Sequence, residues 1–125
     1  MAIEYNLCPF PVPAAADLST KQFYLVKLDS NGRAALASDG GDVSGVIQNK
    51  PAAVDRAASM QPISGGVSKV VCGGTCTAGG NAASDSSGRA VDAASGDFIF
   101  GEFLESVTTA GELVSVLLRA KPSTM

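Results

Sequence analysis

The sequence predicts an all-β protein, a small β-barrel-like domain built from two similar halves and preceded by an extended N-terminal arm. Three observations carry this. Short β-branched and aromatic runs alternate with clusters of Gly, Asn, Asp and Ser, the pattern of strands separated by turns. The chain aligns with itself without gaps at an offset of 56 residues. Pro9, Pro11 and Pro13 set off the first twenty residues from everything that follows.

Residues 1–20 carry single apolar side chains at Ile3, Tyr5, Leu7, Phe10 and Val12, spaced among the prolines. Proline at alternate positions imposes extended geometry, so this stretch reads as an arm whose apolar residues lie along a neighbouring subunit. The domain proper is expected over residues 21–119, with a short tail at 120–125. Its first strand is expected at residues 23–28, where Phe23 and Leu25 face one way and Tyr24, Val26 and Leu28 the other. Only Lys27 interrupts the apolar character, so both faces are covered, either by the core and a loop or by an oligomer interface that includes Phe23 and Tyr24.

The self-alignment places Asp29-Ser30-Asn31-Gly32-Arg33-Ala34 on Asp85-Ser86-Ser87-Gly88-Arg89-Ala90. It then matches Ala37 with Ala93, Gly40 with Gly96, Gly45 with Gly101 and Ser59 with Ser115. Hydrophobic classes correspond too, as Val43 with Ile99, Ile47 with Phe103 and Met60 with Val116. An Asp side chain can bond backbone two residues on and Gly accepts positive φ, so each Asp-Ser-x-Gly closes a tight turn. Gly45 and Gly101, inside apolar runs, are expected at bulges or sharp bends that close a barrel. Further strands are expected at 67–72, 98–104 and 113–119. Residues 52–60 are Ala-rich, yet their match to residues 108–116 favours strand over helix. The stretch 73–88, nearly all Gly, Ala, Ser, Thr, Asn and Asp, reads as a mobile surface loop.

Composition excludes several functions. One compact core is what 125 residues allow. Charged residues are 17% against a usual figure of roughly 25%, and this apolar surplus points to a protein partner. The net charge is -3 and no segment concentrates Lys or Arg, so nucleic acid is not expected as a partner. No apolar run approaches the roughly 18 residues needed to cross a bilayer, and no signal peptide is apparent, so a soluble protein made in the cytoplasm is expected.

No catalytic or cofactor site is expected. The chain has no His, its Asp residues fall in turns, and Glu102, Glu105 and Glu112 read as a solvated rim. The paired glycines lack the Lys-Ser/Thr of a phosphate-binding loop. Cys8, Cys72 and Cys76 are too few for a zinc site, and on a straight strand Cys72 and Cys76 would stand roughly 13 Å apart, although Gly73-Gly74 could bend the chain. Free, partly buried thiols are expected.

Over residues 17–119 the chain resembles the small capsid decoration, or cement, proteins of tailed bacteriophages. The likeness is carried by Leu18-Ser19-x-Lys21-Gln22-Phe23-Tyr24, Asp29-Ser30-Asn31-Gly32-Arg33, Gly45-Val46-Ile47-Gln48-Asn49-Lys50-Pro51, Gly66-Val67-Ser68-Lys69-Val70, Gly88-Arg89-Ala90 and Gly111-Glu112-Leu113-Val114-Ser115-Val116-Leu117-Leu118. Each piece alone is weak, and their order makes the combination specific. The resemblance implies a domain attached to the outer surface of an icosahedral head, contacting the major capsid protein and assembling as a homotrimer. Two positions depart from it: Asp55 stands where similar sequences tend to carry Gly, and Cys72 and Cys76 stand where small apolar residues are usual. A tail or adhesin component would share the all-β, Gly-rich character, and a small ligand-binding barrel would need a polar-lined pocket.

Overall fold

Runs too short for a helix and rich in β-formers, each ended by a Gly- or Asp-containing turn, leave the chain little choice but short antiparallel strands. A computed structural model describes residues 10–63 and 66–121, and among them there are ten strands and no helix. They are β1 (Phe10–Pro13), β2 (Leu25–Leu28), β3 (Ala34–Leu36), β4 (Gly45–Ile47), β5 (Ala57–Pro62), β6 (Val67–Val71), β7 (Asn81–Ser84), β8 (Ala90–Asp92), β9 (Ile99–Phe103) and β10 (Leu113–Lys121). Two five-stranded sheets form, in the orders β1-β5-β4-β2-β3 and β6-β10-β9-β7-β8.

These orders are the same order, shifted by five strands, so each half of the chain builds one sheet. The repeat holds residue by residue. Val26 pairs with Gly45 and Ala82 with Gly101; Ile47 pairs with Met60 and Phe103 with Val116. The first strand of each half also corresponds, at an offset of 58: Pro13 opposes Ala57 as Val71 opposes Leu113. We call the halves copy 1 and copy 2.

The all-β class and the two halves hold, but the single barrel becomes two curled sheets. Within each, the edge strands meet through one isolated parallel bridge, Ala14 with Ala34 and Cys72 with Ala90, so neither ladder closes. Gly45 and Gly101 are not bulges: both lie in regular register, where an added Cβ would fall on the carbonyl oxygens of Gln61 and Leu117. Glycine serves close approach of backbones at these two positions. The register shift is instead in β10, between Leu118 and Lys121, and β10 continues through Lys121 into the expected tail.

The N-terminal stretch is part of the sheet from Phe10 onward. β1 pairs with β5, and Val12, Ala14 and Leu18 are buried in the core of copy 1. Proline is tolerated there because β1 is an edge strand. Residues 73–88 are not a loop throughout either, since Asn81–Ser84 is β7 and Ala82, Ala83 and Ser84 are fully buried. Small residues suit this strand because Phe100 and Phe103 fill the space beside it.

Each sheet curls around its own interior. In copy 1 this interior is Val12, Ala14, Leu18, Val26, Ala34, Ile47, Ala58 and Met60. The matching positions of copy 2, including Val70, Cys72, Cys76, Ala82, Phe103, Val114 and Val116, form a second core. This second core also takes in Leu25, Ala37, Val43 and Val46 from copy 1, so it spans both halves. The doubly covered β2 therefore lies between two cores of its own chain: Val26 faces one and Leu25 the other.

Candidate interaction surfaces

The repeat shows where each copy departs from the shared plan. The Leu18 N–H donates to the Pro51 carbonyl as the Cys76 N–H does to Val107, and the Tyr24 N–H donates to Lys21 as Gly80 does to Thr77. Between these anchors copy 1 has two extra residues, Ser19 and Thr20. They lie beside the seam between the copies and help to line an open groove of about 420 Å3 with Gln22, Tyr24 and Lys50 of copy 1 and Val71 and Gly111 of copy 2. The Lys21 ammonium sits 4.8 Å from the centre of the Tyr24 ring, and the Gln22 amide donates to the Gln48 carbonyl at 3.0 Å. The lining carries hydroxyl, amide and ammonium groups and no carboxylate or thiol.

The backbone is strained at two positions, Phe23 beside the groove and Asp55 in a separate pocket with Pro11, Val12, Pro13 and Ala57. Phe23 has φ 68, and its copy 2 counterpart, Gly79, has φ 78. Asp55 has φ 67 where copy 2 has Gly111 with φ 95. An L-residue in this left-handed region costs roughly 1–2 kcal/mol, which Gly avoids. Phe23 offsets the strain by packing against the shared core, and its carbonyl accepts from the Val71 N–H of copy 2 at 3.1 Å. Asp55 carries an ion pair with Arg33 at 3.1 Å.

The residues expected to make the interface are thus distributed. Ile3, Tyr5 and Leu7 lie outside the described residues. Phe10 gives its backbone to β1, and Val12 is buried in the core of copy 1. Phe23 and Tyr24 come together at the seam, Phe23 half-buried beneath and Tyr24 in the groove wall.

The copies meet through unlike surfaces. The Leu25 N–H of copy 1 donates to the Gly88 carbonyl of copy 2, and the Gly40 N–H donates to Ser84. Gly88 packs under Leu25, Leu36 and Ala37, whereas its counterpart Gly32 has nothing within 4 Å of an added Cβ. Such a contact is heterologous and leaves one face of each kind unused. On copy 1 the unused face holds Gly32 and the exposed Leu28, the counterpart of buried Ser84. On copy 2 it holds Asn81, Ala93, Gly96 and Glu102, the counterparts of Leu25, Ala37, Gly40 and Val46.

That copy 2 face is polar. The Lys121 ammonium donates to Glu102 Oε2 at 2.7 Å and Asn81 Oδ1 at 2.9 Å, and Arg119 approaches Glu102 Oε1 at 3.6 Å. The bond from Lys121 holds the Glu102 carboxyl below its usual range. Elsewhere on copy 2, Val67, Leu104 and Leu113 are exposed, and Leu113 lines a pocket with Lys69 and Glu105. Sequence reasoning missed these faces because only the copy-to-copy contact shows which side of each strand is left open. Among the described residues no three His, Cys, Asp or Glu side chains gather into a set that could hold a metal ion.

Comparison with solved structures finds the same fold in the crystal structure of the N base of the head fibre protein gp8.5 of bacteriophage phi29. The TM-score is 0.71 over 94% of this chain and 98% of that one, at 18% sequence identity. No protein-family model and no curated protein matches the chain.

Proposed function

We propose that this chain is a structural protein of a tailed-phage virion that attaches to the outer surface of the head and reinforces it by contacting the major capsid protein. The observation that carries the reading is the fold shared with a head-fibre base across nearly the whole chain. It agrees with the independent resemblance of the ordered sequence motifs to capsid decoration proteins, and the groove offers a surface suited to contact.

The chain acts as a homotrimer in this reading. The unused faces favour self-association, since the Leu28 and Gly32 side of one chain can meet the Asn81, Ala93 and Gly96 side of the next as copy 2 meets copy 1. Three chains would then place six similar units around one axis. Neither nucleic acid nor membrane is a partner in this reading, and no cofactor or enzymatic activity is assigned.

A co-sedimentation titration tests the attachment. Purified protein should pellet saturably with heads that lack it and stay in the supernatant with isolated tails. Binding to tails alone would overturn the head assignment in favour of a tail or adhesin component.

A further inference from the structure

Copy 2 carries a pair of thiols where copy 1 has plain packing. By the hydrogen bonds that align the halves, Cys72 and Cys76 stand at the places of Ala14 and Leu18, which are buried in the core of copy 1. The chain folds back between the two cysteines along the path it takes in copy 1, where Ala15 and Ala16 stand at the places of Gly73 and Gly74: the Gly73 N–H donates to the Ala90 carbonyl as the Ala15 N–H does to Ala34. The result is that Cys76 Sγ lies 2.9 Å from Cys72 Sγ, with both side chains buried. Both thiols are free. Bonding the sulfurs would shorten this separation by less than about 1 Å, since an S–S bond is about 2.05 Å.

We propose that Cys72 and Cys76 are an oxidation site that closes to an intrachain disulfide, with a small peroxide as the oxidant. One thiol attacks hydrogen peroxide, whose O–O bond breaks to leave a sulfenic acid and one water. The second thiol then displaces the sulfenic oxygen as a second water, forming the S–S bond. Two thiols and one peroxide become one disulfide and two waters, and the two electrons pass to the peroxide oxygens. Only a small neutral oxidant suits sulfurs this deeply buried. Burial also pushes the Cys76 thiol well above its usual range, which keeps thiolate scarce and makes closure slow. If the chain is a virion protein, as proposed above, the pair stays reduced during assembly in the cytosol and closes after release.

Closure would staple two bridges, since Cys72 pairs with Ala90 and Cys76 with Val107. The full chain is therefore exposed to hydrogen peroxide, unfolded in guanidinium without reductant, alkylated with N-ethylmaleimide and weighed intact. Untreated protein should take up three labels, counting Cys8, and oxidised protein one. A Cys8→Ser variant should go from two labels to none while remaining monomeric under denaturing conditions. Tm should rise by about 2–5 °C on oxidation and fall back with dithiothreitol. Three labels retained after treatment, loss of labels with added oxygen mass, or covalent dimers in the Cys8→Ser variant would each overturn the proposal. The chemistry is tested on purified protein, so its failure leaves the virion reading untouched, and failure to bind heads leaves the thiol result standing.

Discussion

At matched positions in the two sheets copy 1 places Val26 and Ile47, and copy 2 places Ala82 and Phe103. A smaller residue on one strand faces a larger one on its diagonal neighbour, while the main-chain register around them is unchanged. The repeat is thus preserved in backbone hydrogen bonds, and much less in individual side chains. The Asp turns show the other extreme. Asp29 Oδ1 accepts from the N–H groups of Asn31 and Arg33, and Asp85 Oδ1 accepts from those of Ser87 and Arg89, all within 2.8–2.9 Å. Turns that depend on one side chain keep that side chain, whereas cores exchange theirs.

The sharpest break in this comparison comes from the core. Phe103→Ala should lower stability by about 3–5 kcal/mol in denaturant unfolding, because Phe103 is fully buried among residues of both halves. Converting copy 2 towards copy 1 should behave differently: Phe103→Ile and Ala82→Val each destabilise, and the double variant should cost less than their sum by at least about 0.5 kcal/mol. Simple additivity would mean that the two positions do not share one volume.

Close backbone approach gives the next effect. Gly101→Ala and Gly45→Ala should each cost about 1–3 kcal/mol, since the added methyl meets backbone that cannot swing aside. Gly79→Ala isolates conformation from space, because nothing lies within 4 Å of its added Cβ although φ is 78. About 1–2 kcal/mol is expected from backbone strain alone. A neutral result would mean that the strain assigned to Phe23 in copy 1 is absent as well.

The smallest effect is electrostatic and comes from Glu102 of copy 2, which stands where copy 1 has Val46. A carboxyl held below its unfolded value adds stability that is present above that value, near 4.5, and is lost as pH falls through the lowered one. Stability should therefore decline below about pH 4.5 in the wild type, and Glu102→Gln should shallow that decline. An identical pH profile in the variant would remove Lys121 and Glu102 from the account.

The sequence discloses much of this plan through its turns. The offset of 56 is legible because Asp29, Gly32 and Arg33 recur as Asp85, Gly88 and Arg89, and by matching residues 52–60 to the β10 run it correctly favours strand at β5. It does not reach β1 and β6, since Ser19 and Thr20 shift the register by two before them. β7 was hidden for a different reason: Asn81-Ala82-Ala83-Ser84 has the composition of a loop, and only the Phe side chains packed beside it explain small residues in a strand. Phe23 and Tyr24 were legible as apolar residues in want of cover, but the cover at Phe23 is the second half of the same chain. The approach of Cys72 to Cys76 follows the path from Ala14 to Leu18 in copy 1, a match that the offset of 56 does not reach.

Electron cryomicroscopy of heads incubated with the purified chain tests the central claim directly. Added density is expected on the outside of the shell in clusters of three chains, each cluster showing six similar lobes, with the Leu28 face of one chain against the Asn81 face of the next. Heads without added density, or single chains bound with both faces open to solvent, would contradict it.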